Sequence, residues 1–172
     1  MANTYTLISS VTVGSGGAAS ISFTSIPADY TDLVIKFSTR SSTTNSTFGI
    51  RFNGDSGASS YNSRIVYGNG SSAGSDVSGA TTQLRNMYIP TTSETANTFG
   101  NGEIYIPNYT SSNYKSVSAD TVTENNATSA NVTLNAGIWS NTSAITSAVL
   151  SLTSGDNLAQ YSTAYLYGIS NA

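Results

Sequence analysis

Nine carboxylates and six cations are the only side chains in this 172-residue chain that carry full charge near neutral pH, because it has no His and no Cys. That composition removes the usual neutral-pH proton shuttle, the thiol nucleophile and the nitrogen and sulfur ligands of a zinc site. What remains is acid–base work by paired carboxylates. Asp120 and Glu124 share one side of a predicted strand, but four residues of extended chain hold them about 13 Å apart, against about 5 to 9.5 Å between the carboxylates of glycosidases. Asp29 and Asp32 flank Tyr30-Thr31 just after Pro27, where Asp side chains cap turns. Asn53, Asp55 and Gly57 alternate like the opening of a calcium loop, yet the distal Glu of an EF-hand is missing and a hairpin turn accounts for them. The expectation is a protein that is not an enzyme, with no cofactor and no metal, working by contact.

For contact, the scarce cations are the natural anchors. Arg40, Arg51 and Arg64, with Tyr165 and Tyr167, are the candidate partner-binding residues, since Arg and Tyr dominate interface energetics. Tyr161, Thr163, Tyr165 and Tyr167 share one face of the last predicted strand, with Ala164 and Leu166 on the other. Such a stripe reads first as core packing, second as a subunit interface and third as a platform for sugar rings. Trp139 ends a strand among apolar neighbours and belongs to the core or its rim. Six cations scattered from Lys36 to Lys115, with a formal charge of -3, argue against nucleic acid, which needs clustered Lys and Arg.

The elements that position these residues are strands. Apolar residues recur with period two, as in Leu33, Ile35 and Phe37 and again in Phe48, Ile50 and Phe52, which are predicted to face inward. Further runs are Tyr5 to Val13, Ala19 to Phe23, Ser63 to Tyr67, Gln83 to Ile89, Glu103 to Ile106, Lys115 to Thr123, Asn131 to Trp139, Ala144 to Leu152 and Tyr161 to Ile169. Gly- and Asn-rich turns separate them, and no stretch has sustained helical periodicity beyond a single turn over Pro27 to Asp32. Gly68 to Ala80 lacks an apolar pattern and reads as an exposed loop. The fold class is all-β, a jelly-roll-like antiparallel two-sheet sandwich, as one domain over residues 1–172. If Leu33 to Arg40 and Thr47 to Asn53 form a hairpin with Ile35 opposite Phe52, Lys36 faces Arg51; a register slipped by two residues separates them, and otherwise a carboxylate such as Glu103, or one from a partner, is expected nearby to relieve the repulsion.

Only 9% of the residues are charged, against about 25% in an ordinary domain, and Ser, Thr and Asn fill most other polar positions. A surface with so few charges suits a protein packed in an assembly. The opening Met1-Ala-Asn-Thr-Tyr-Thr lacks a basic region followed by an apolar run, and no segment is apolar enough to span a membrane, so synthesis in the cytoplasm and no membrane partner are expected. Glycosylation triplets at Asn45, Asn108, Asn126, Asn131 and Asn141 follow from the abundance of Asn, Ser and Thr.

Several segments together carry a resemblance: Thr4-Tyr-Thr-Leu-Ile-Ser-Ser, Ile26-Pro-Ala-Asp-Tyr-Thr-Asp-Leu, Ser63-Arg-Ile-Val-Tyr-Gly-Asn-Gly-Ser-Ser, Glu103-Ile-Tyr-Ile-Pro-Asn-Tyr, Glu124-Asn-Asn-Ala-Thr, Gly137-Ile-Trp-Ser-Asn-Thr and Tyr161-Ser-Thr-Ala-Tyr-Leu-Tyr-Gly-Ile. In pattern, and from end to end, the chain resembles small virion proteins of tailed bacteriophages, especially those of aquatic bacteria and cyanobacteria. The resemblance implies a jelly-roll-like sandwich on the virion. It implies a capsid decoration (cement) protein that binds the major capsid protein and stabilises the assembled shell, or alternatively a tail-fibre module gripping a host cell-surface glycan. A homotrimer follows from the same analogy. No catalytic motif comes with the family.

Overall fold

A computed structural model of the chain describes residues 4–126 and 130–170. The opening Met1 to Asn3 and the Ala127-Thr128 end of the Glu124-Asn-Asn-Ala-Thr segment lie outside the described residues. Twelve strands account for the architecture: β1 (Tyr5–Thr12), β2 (Ser20–Phe23), β3 (Asp32–Thr39), β4 (Thr47–Phe52), β5 (Tyr61–Gly68), β6 (Ala73–Thr81), β7 (Leu84–Tyr88), β8 (Gly100–Ile106), β9 (Lys115–Glu124), β10 (Ala130–Trp139), β11 (Ala148–Leu152) and β12 (Thr163–Ile169). No helix occurs among the described residues, and Pro27 to Thr31 is irregular chain where a single turn was expected.

The strands form two antiparallel sheets, one of eight strands in the order β1-β12-β3-β8-β9-β10-β5-β6 and one of four in the order β2-β11-β4-β7. When β2 to β7 are counted as strands 1 to 6, the β8–β9–β10 meander as 7 and β11 as 8, the small sheet runs 1-8-3-6 and the large one 2-7-4-5. This is the neighbour pattern of a jelly roll, enlarged by the meander and by β12 and β1 beyond β3.

Period-two alternation places Leu33, Ile35 and Phe37 of β3 and Phe48, Ile50 and Phe52 of β4 in the core, all buried. The two strands nevertheless do not pair. β3 lies between β12 and β8 in the large sheet, β4 between β11 and β7 in the small one, and the connection between them crosses the sandwich. The predicted hairpin is therefore corrected: Ile35 stands between Leu166 and Ile104, and Arg51 is opposite Val149. The supposed loop from Gly68 to Ala80 is corrected as well, because most of it is β6, an edge strand laddered to β5 from Gly68↔Ala73 to Tyr61↔Thr81. Its Ala-Gly-Ser-Asp-Val-Ser-Gly-Ala-Thr sequence has little β-propensity, and pairing with β5 overrides it.

An aromatic cluster closes one end of the core. Trp139 and Tyr61 are cross-strand partners with stacked rings 6.4 Å apart, and Phe52 packs on both from the other sheet. Tyr61 reaches across to β4, where its hydroxyl accepts from the Phe52 amide at 2.8 Å. Next to Trp139 in register, Lys115 is buried and donates to the Ser111 and Asn113 carbonyls, with its ammonium 5.9 Å from the indole centroid. Burial pulls the pKa of this ammonium below its ordinary value.

Candidate interaction surface

The two outward faces of the sandwich differ sharply. On the small sheet the outward positions are mostly short and polar: Ser20, Ser22, Gly49 and Ser151 in register, with Val149 and Arg51 beside them. On the large sheet the registers set side chains in rows that cross the strands. One row runs Ser10, Tyr165, Lys36, Glu103, Asp120, Leu134, Val66, Ser75 from β1 to β6. The next runs Leu7, Tyr167, Val34, Tyr105, Ser118, Ala136, Arg64, Val77.

The face thus has a ring-bearing half and an aliphatic half. Toward β1 and β12, Tyr5 and Tyr167 meet edge to face with centroids 6.3 Å apart, beside exposed Leu7 and Tyr165. Toward β6, Leu134 is 55% exposed, Val66 53% and Val77 56%, with Val122, Val132 and Ile138 also in solvent. Isolated exposed apolar residues are ordinary, but a contiguous group on one sheet face marks a contact surface. A shallow depression of about 550 Å³ lies here, bordered by Arg64, Val66, Val77, Asp120, Leu134 and Ala136.

Charge concentrates between the halves. Lys36 Nζ lies 2.6 Å from Glu103 Oε2, and this hydrogen bond, with the attraction of the carboxylate, raises the lysine's pKa. The carboxylate expected near Lys36 is therefore present, although Arg51 is not its reason. On the other flank of Glu103 stands Asp120, its direct cross-strand partner. Partial burial and then the neighbouring Glu103 raise the Asp120 pKa, with Lys36 opposing them. Spacings within a strand do not reveal this pair of carboxylates, because its members lie on different strands. The signal was the turn from Pro107 to Tyr114 between two strand-like runs, because a hairpin there makes Glu103 and Asp120 neighbours.

The candidate anchors scatter. Arg40, 8% exposed, is turned inward at the end of β3, where its guanidinium donates to the Glu94, Thr95 and Thr98 carbonyls and to Thr98 Oγ1 at 2.9 to 3.0 Å. It clamps the loop before β8, and as a contact residue on the free surface it is corrected. Arg51 points out of the small sheet and donates to the Thr82 carbonyl and Gln83 Oε1, bracing the β6–β7 corner. Arg64 is exposed on the large sheet and, among the described residues, its guanidinium bonds to Asn62 Oδ1 and the Ser63 carbonyl of its own strand. Tyr165 and Tyr167 stand on the outer face, which overturns the core reading of the stripe, since Ala164 and Leu166 are the buried side. Tyr161 leaves the stripe: it precedes β12 with a φ of 71°.

The calcium-like residues are a turn between sheets and not a hairpin. Asp55 Oδ1 accepts from the Gly57 amide and Ser60 Oγ, and Oδ2 from Trp139 Nε1 at 2.8 Å, while Asn53 Oδ1 accepts from the Thr146 and Ser147 amides. Asp32 accepts from Tyr105 Oη and from the Asn108 amide, so it caps the β8–β9 turn and not its own. No protein-family model, curated protein or solved structure matches this chain.

Proposed function

We propose that this chain is a structural protein that acts by contact, docking onto another protein through the ring-bearing half of its large sheet. The setting that suits it best is the virion of a tailed bacteriophage, as a decoration (cement) protein bound to the major capsid protein on the capsid surface. The observation that carries this reading is the group Tyr5, Leu7, Tyr165 and Tyr167, held in register on an uncovered sheet face. Tyrosine offers an apolar body and a polar tip, which lets it fill an interface without buried charge. A protein that binds only the assembled shell stabilises that shell by mass action. With few charges to pair, its retention on the shell is nearly independent of salt.

The test is quantitative mass spectrometry of purified phage particles whose genome encodes the chain, followed by release of the protein across a salt series. Hundreds of copies per particle, retained at high salt and lost on Tyr165→Ala with Tyr167→Ala, support the reading. Absence from particles overturns it. The same tyrosines, beside Lys36 and Glu103, also favour a second reading as a glycan-gripping tail module. A few to tens of copies per particle, with binding to host polysaccharide, would decide for that one.

A further inference from the structure

The aliphatic half of the large sheet carries a charge arrangement that its own chain leaves incomplete. Arg64 forms no ion pair among the described residues. Across β10, Asp120 and Glu103 are two carboxylates served by one ammonium, that of Lys36. An unpaired cation and a surplus anion therefore stand on one face, separated by a single strand.

Their placement on the sheet lattice is specific. Leu134 of β10 is opposite Asp120 on one side and Val66 on the other, while Ala136, two residues along, is opposite Ser118 and Arg64. Asp120 and Arg64 are thus diagonal across β10, and the midpoint between them falls on β10 between Leu134 and Ala136. A two-fold axis in the plane of the face, passing through that midpoint at right angles to the Arg64–Asp120 line, exchanges the two positions. It sets Arg64 of each copy over Asp120 of the other and covers Leu134 and Val66 against the facing copy. An isologous interface requires this self-complementarity, with the same patch serving both sides. A second copy supplies the complement of both charges at once, an anion for Arg64 and a cation for Asp120.

We propose that the occupant of this face is a second copy of the chain, forming a two-fold dimer centred on β10 in which Arg64 pairs reciprocally with Asp120. The arrangement has the apolar centre and charged rim of protein interfaces. It uses the half of the sheet that the capsid reading does not, so either can fail alone.

The test is analytical ultracentrifugation of the full chain over a wide concentration range. A monomer–dimer equilibrium is expected, with Leu134→Asp weakening it at least about a hundredfold and Arg64→Asp or Asp120→Arg at least about tenfold each. The reversed pair, Arg64→Asp with Asp120→Arg, restores association to within about threefold of the original, a recovery that general surface damage does not give. All three positions are solvent-facing on the sheet surface, and unchanged circular dichroism confirms that the variants fold. A monomer at every concentration, an odd-numbered assembly, or a dimer indifferent to Leu134→Asp or lacking rescue by the reversed pair overturns the proposal.

Discussion

Trp139 Nε1 donates to Asp55 Oδ2 at 2.8 Å, joining the last residue of β10 in one sheet to the turn that leaves β4 in the other. The Gly57 amide, then the indole, Ser60 and Asn141, hold the Asp55 pKa at about 2, below its ordinary 3.8. The stabilisation from a depressed carboxylate is complete above the unfolded value and is lost as pH falls from about 3.8 toward 2. Asp55→Asn keeps the shape but loses the charge-assisted bonds. It is expected to cost about 1 to 2 kcal/mol at neutral pH and to flatten the stability curve in that acid window, as measured by urea unfolding at a series of pH values.

Phe52 sits against Trp139 and Tyr61, and Phe37 against Phe48 with centroids 5.1 Å apart. Replacing either Phe37 or Phe52 with Ala leaves a cavity between sheets that cannot collapse, at a cost of about 3 to 5 kcal/mol. Thermal unfolding measures it, and a loss below about 1 kcal/mol would contradict the assigned packing.

Arg40→Lys should behave unlike an ordinary conservative change. A lysine ammonium cannot reproduce the planar fork that reaches the Glu94, Thr95 and Thr98 carbonyls together. A loss of about 2 to 4 kcal/mol is expected, with limited proteolysis appearing first between Thr91 and Thr98.

The row Lys36, Glu103, Asp120 makes an opposite prediction. Because folding raises the Asp120 pKa, its ionised form opposes the fold above that pKa, and the penalty fades as pH falls toward the unfolded value. Asp120→Asn should therefore stabilise the monomer slightly at neutral pH, the effect being screened at this exposed site, and contribute nothing in acid. Lys36→Ala should push the Asp120 pKa further up, as read by NMR titration. Because the pair is exposed, the Lys36–Glu103 coupling in a double-mutant cycle should stay below about 1 kcal/mol.

Alternation within strands was readable because it is local: Leu33, Ile35, Phe37, Phe48, Ile50 and Phe52 show their buried side wherever their neighbours lie. Which strand pairs with which was not, since β3 and β4 are adjacent in sequence and separated by the full thickness of the sandwich. The same gap hid the surface features. Glu103 meets Asp120 only through the β8–β9 register, and Arg40 turns inward because the loop before β8 offers it carbonyls that no spacing rule anticipates. For β6 the failure was of another kind. Its residues have almost no strand character, and only the free edge of β5 makes them one.

β1 is paired to β12 alone, and β2 to β11 alone, so these two strands find their ladders only once β11 and β12 have been made. At 5–20 residues per second the wait is on the order of ten to thirty seconds. During it the nascent chain presents β1, β2 and the edge of β3 as open strands. β12 acts as a clasp, and the moment just before it leaves the ribosome is when the chain is most prone to join a neighbour by its edges instead of by its faces.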